Sequence, residues 1–249
     1  MASKSRSLPL TELANLHGKT ADFQEVALKN FLRPPGPIPS YSLSKRCLPE
    51  IFGATGALFG ATERLAGDKL WEYVTARARG NAAARDFNWP VTEALSSLAA
   101  GDDFQAVHRE FDAVSLVGGQ RTKLVGNVIA LIDGRPSLIC LDPRRTNFLT
   151  PSGLFVVQSL IHHLLRTQYP DLEELDIAVL QFPQLDQRLK RDDKMKRRAT
   201  VTNRLGDREP MSWSELDAGI TETLTIFQSL LHRRPPETPR RTGTGDLFD

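Results

Sequence analysis

Residues Lys123 to Thr146 read K-L-V-G-N-V-I-A-L-I-D-G-R-P-S-L-I-C-L-D-P-R-R-T. Two apolar, β-branched runs, residues 124–132 and 138–141, flank Asp133-Gly134. An Asp-Gly pair between such runs is the strongest short-range signal for a hairpin. Both runs are apolar at successive as well as alternate positions, the pattern of strands covered on both faces. Asp142, Pro143, Arg144, Arg145 and Thr146 follow at once. A carboxylate and two guanidinium groups are thus delivered to the mouth of a buried sheet, which marks a candidate site.

Downstream, Leu154, Val157, Leu160, Ile161 and Leu164 fall on one face of a helix over residues 153–167, and D-I-A-V-L-Q-F (176–182) reads as a second doubly buried strand. A helical crossover between that strand and the hairpin permits a parallel pairing. A last helix starts at 213 or 214 and runs to 231. Upstream, residues 11–28 carry loosely helical spacing and end at the prolines of R-P-P-G-P-I-P, which forbid continuation. Residues 54–79 read as a helix, and residues 91–99 as a short one starting after Trp89-Pro90. A further helix over 104–114 places Phe104, His108 and Phe111 on one side. The chain divides into a polar leader and proline-rich linker (1–38), a helical region (39–100), an α/β core with a C-terminal helix (101–232) and a tail of disordered composition (233–249).

With 249 residues, 40% hydrophobic and 25% charged, the chain has the make-up of a soluble globular protein. No apolar run approaches the roughly 20 residues of a membrane helix, and the N-terminus lacks the apolar segment of a secretory signal. Cys47 and Cys140 have no metal-ligand spacing, and Cys140, inside an apolar strand, reads as a buried structural thiol. The expectation is a cytoplasmic protein. A net charge of +2 announces no nucleic-acid binder, yet residues 188–204 hold eight Lys or Arg against two Asp. Lys190, Arg191, Lys194, Lys196, Arg197 and Arg198, with Arg145, are the candidates for phosphate contacts; the alternative is a solvated charged loop.

The order of elements and certain residues resemble the catalytic core of the PD-(D/E)xK nuclease superfamily, in its RecB-like branch. The likeness runs from Ser40 to Phe182. S-Y-S-L-S-K-R-C-L-P-E-I-F resembles that family's S-x-S-x-L…C-P-x-x-F segment, G-N-V-I its G-x-x-D strand and D-P-R its (D/E)-x-K strand. Gln158, followed four residues later by His162, stands where the family has Q-x-x-x-Y. The family's first-strand aspartate falls on Ile129 and its lysine on Arg144. Cys47 has no partner cysteines, so no iron–sulfur cluster is implied.

The resemblance implies a restriction-endonuclease-like core, a small mixed sheet flanked by helices, with an N-terminal helical region and a C-terminal helix. It implies a DNA-acting protein of repair, recombination or defence, either a phosphodiesterase dependent on Mg2+ or Mn2+ or a degenerate DNA-binding derivative. His108 and Asp142 would hold the metal, Arg144 would steady the phosphate, and Gln158 with His162 would orient it. Hydrolysis of this kind needs hard cations held by carboxylates, and Arg144 cannot serve as a base. It can clamp a phosphate through two N–H groups, so the site is better equipped to hold phosphate than to cut it. A second reading, from another class, is a non-enzymatic adaptor whose helices (54–79 or 214–231) bind a protein partner. A third signal is the C-terminal Asp246-Leu247-Phe248-Asp249, which resembles the acidic-hydrophobic peptides that dock into bacterial replication sliding clamps.

Overall fold

The computed structural model describes residues 8–33, 40–54, 63–101, 103–111, 113–115, 121–123, 127–144, 147–184 and 198–233. In chain order the elements are α1 (Leu10–Leu16), α2 (Ala21–Leu32), α3 (Ser42–Ile51), α4 (Gly67–Arg77) and α5 (Ala82–Leu98). They continue with β1 (Ala106–His108), β2 (Ala113–Ser115), β3 (Arg121–Lys123), β4 (Val128–Ile132), β5 (Arg135–Asp142), α6 (Pro151–Gln168), β6 (Asp176–Gln181), β7 (Val201–Arg204) and α7 (Trp213–Arg233).

The hairpin forms at the predicted turn, with its first strand over Val128–Ile132 and residues 124–126 of the predicted run outside the described set. β4 and β5 pair antiparallel with Ile132 opposite Arg135. Asp133 and Gly134 turn the corner at φ 47° and 75°, the positive values a two-residue primed turn requires. Arg204 pins that turn, donating to Ile132 O and to Asp133 Oδ2, both at 2.9 Å. α6 then carries the chain back so that β6 lies parallel to β5, with Asp142 level with Gln181. The sheet order is β1-β4-β5-β6-β7, with only the β5/β6 pair parallel, and β2 and β3 form a separate two-stranded ribbon.

Alternation along the strands sends side chains into two cores. Leu138, Cys140, Ile177 and Val179 meet α1, α2, α6 and α7 through Leu13, Leu28, Leu160 and Leu216. Ile139, Leu141, Ala178 and Leu180 meet α3, α4 and α5 through Leu48, Val74 and Leu95. The fold is therefore α/β, a small mixed sheet between two helical layers, and the double cover explains the unbroken apolar runs of β5 and β6. α1 seats deeply against its neighbours. A Cβ added to Gly153 of α6 would collide with the Asn15 amide oxygen, and one added to Gly219 of α7 with the His17 ring.

Four expectations need correction. Residues 104–114 are not a helix: β1 pairs with β4, and the sheet separates the two phenylalanines. Phe104 packs edge-on against Phe52 at 4.8 Å in one core, while Phe111 meets Tyr169 at 5.2 Å on the other side. Helical spacing over three or four residues was outweighed by the pairing of β4's open edge. Pro90 starts no helix; it lies inside α5, where burial of the flanking Val91 and Leu95 outweighs the lost N–H. Of the helix expected over 54–79, the described residues form only α4 (Gly67–Arg77), with residues 55–62 outside the described set, and a separate helix, α3 (Ser42–Ile51), precedes it. Finally, Val201–Arg204, read as the end of a basic run, is the edge strand β7. A four-residue polar edge strand leaves almost no periodic signal. Among the described residues no helix is long and apolar enough to cross a membrane.

The thiol expectation agrees with the structure. Burial pushes Cys140 up to about 12; burial and then the Glu50 carboxylate push Cys47 up to about 11. Neither thiol is expected to react with an aromatic disulfide reagent at pH 8 in the folded protein, and both should react in denaturant. Rapid native labelling of either would contradict this packing.

Candidate functional site

β5 ends at Asp142, whose side chain is 1% exposed. The carboxylate does not face open solvent; protein donors surround it. Arg144 grips both oxygens, Nε to Oδ1 at 2.6 Å and Nη2 to Oδ2 at 3.2 Å. The Leu149 N–H donates to Oδ2 at 2.6 Å, and Gln181 Nε2 to the same oxygen at 3.3 Å. Arg144 then reaches across the chain, Nη1 donating to Glu12 Oε1 of α1 at 2.9 Å. The pair joins strand end, loop and N-terminal helix.

A second arginine closes the other side. Arg198, only 8% exposed, donates to Pro143 O at 2.9 Å and to Tyr41 Oη at 3.0 Å, with its guanidinium 5.6 Å from the centre of the Tyr41 ring. Tyr41 caps α3, and in the first turn of that helix stands Lys45, whose N–H donates to Tyr41 O at 3.2 Å. Lys45 is exposed as a residue, and its ammonium feels Asp142, Cys140 and Arg144. Burial lowers its pKa most; the nearby Asp142 and Cys140 oppose that, and Arg144 adds to it. This charged cluster lies at the carboxyl end of β5, which pairs parallel with β6.

The remaining candidates are elsewhere. Gln158 is buried in α6 and donates to Asn203 O at 2.8 Å and Ile177 O at 3.4 Å, clipping the helix to β6 and β7. His162 lies one turn further along α6, its ring 5.8 Å from that of His163. Its pKa is lowered by burial, then by Arg166 and His163. His108 is on β1, not on a helix, and Asn127 Nδ2 donates to its Nε2 at 3.1 Å. Since His108 faces Val128, and Val128 faces Ile139, His108 and Asp142 stand two strands and three residues apart. At strand spacings of about 4.8 Å and rises of about 3.3 Å that is roughly 14 Å, far beyond a shared coordination sphere. The structure does not bring His108, Asp142 and Gln158 to one point. Arg145, Lys190, Arg191, Lys194, Lys196 and Arg197 lie outside the described residues.

These surroundings do not fit Mg2+ or Mn2+. A hard cation needs oxygen acceptors, whereas the groups around Asp142 are donors that already take up its oxygens. Among the described residues no group of three His, Cys, Asp or Glu is placed to hold a metal ion. Sequence reading missed Glu12, Tyr41, Lys45 and the tie made by Arg198. Glu12 is 132 positions from Arg144, and no local pattern marks that pairing.

No curated protein and no solved structure matches this chain. One family model does, described as the sliding clamp-binding bacterial toxin SocB, and its match covers residues 11–237. That span takes in every described element except the first residue of α1. The chain belongs to the SocB family of sliding clamp-binding bacterial toxins.

Proposed function

We propose that this protein binds a bacterial replication sliding clamp, in the cytoplasm, through a short peptide built on a Leu-Phe pair. The family match over 11–237 carries the proposal. The sequence contains three Leu-Phe pairs, at 58–59, 154–155 and 247–248. Leu154 is a core residue, and the Arg208 guanidinium stands 3.5 Å over the Phe155 ring, so that pair is committed to the fold. Leu247-Phe248 has the acidic flanks, Asp246 and Asp249, that mark clamp-docking peptides. Leu58-Phe59 has no such flanks but lies inside the span of the family match, whereas Leu247-Phe248 falls beyond its end at 237. The acidic flanks favour the tail peptide; the extent of the match favours the internal one.

Binding of the purified chain to its clamp, followed by calorimetry, separates them. Truncating two anchor side chains of an interface removes about 2 kcal/mol or more, a loss of roughly thirtyfold or greater. Leu247→Ala with Phe248→Ala is expected to show that loss. Full binding by this variant, with loss in Leu58→Ala/Phe59→Ala, would move the site to the internal pair. A wild-type chain that leaves the clamp unbound would end the proposal.

We infer further that the Asp142–Arg144 pair is a structural tie and that the protein cuts no DNA. The saturated carboxylate and the arginine in place of lysine support this reading. Manganese-dependent cleavage of single- or double-stranded DNA that disappears in Asp142→Asn would overturn it.

A further inference from the structure

We draw no further inference here: the strongest candidate, the cavity of about 500 Å3 between α3, α4 and α5 lined by Ile51, Leu65, Leu70, Trp89 and Glu93, carries nothing, because residues 55–62 of the connection from α3 to α4 lie outside the described residues and nothing in the structure shows what covers it.

Discussion

Asp142→Ala is expected to destabilise the protein by about 3–5 kcal/mol, the cost of breaking a buried ion pair by removing one partner. Asp142 is 1% exposed and accepts from Arg144, the Leu149 N–H and Gln181 Nε2. Truncation leaves a guanidinium with 19% of its surface exposed without its main counter-charge, and strands a backbone N–H that has no other acceptor in hand. An unpaired buried donor alone costs about 1–3 kcal/mol. Asp142→Asn keeps an acceptor for Leu149 but loses the charge that holds Arg144, so about half the loss is expected. Urea denaturation followed by circular dichroism measures both. A change below about 1 kcal/mol for the alanine variant would mean that Asp142 is not the tie described here.

Asn88→Ala is expected to cost about 3 kcal/mol and to loosen α3 selectively. Asn88 is fully buried in α5. Its Oδ1 accepts from Ser44 N at 3.0 Å and Ser44 Oγ at 2.7 Å; its Nδ2 donates to Ser40 O at 2.9 Å and Ala84 O at 2.8 Å. One amide thus supplies the start of α3 with its hydrogen bonds and leaves none of its own capacity unused. Removing it takes the side-chain acceptor from the buried Ser44 N–H and hydroxyl at once. Asn88→Asp should be no better, because a carboxylate cannot donate to the Ser40 and Ala84 carbonyls. Hydrogen exchange supplies the specific readout: amides of Ser42–Ile51 should lose protection before those of β5. Uniform loss, or none, would show that α3 is held by its apolar contacts alone.

Sequence and structure agree where the signal is local. Asp133-Gly134 specifies a turn whose two positive φ values few other pairs tolerate, and that turn sets the register of β4 on β5. The apolar faces of α6 and α7, the doubly covered strands and the parallel crossover were legible for the same reason: period and length can be read without knowing the neighbours. Residues 104–114 failed because three residues of β1 carry less pattern than an accidental i, i+4 spacing of Phe104, His108 and Phe111. β7 failed because it is four residues long with one apolar side chain, Val201, and exists as a partner for β6.

The site divides along the same line. Asp142 and Arg144 were visible because they directly follow a buried strand, and chain direction alone delivers them to the sheet's carboxyl edge. What they do there was not visible. The structure turns the carboxylate inward onto donors, sends His108 two strands away and gives Gln158 to the edge of β7. It also brings in Glu12 from the first helix and Lys45 from the third. Sequence by itself determined the elements with strong internal periodicity, and the turn that orders the central pair. Only the tertiary structure decided which charges meet at the end of β5, because Coulomb pairing acts through space between chain segments as far as 132 residues apart and leaves no periodic trace in either.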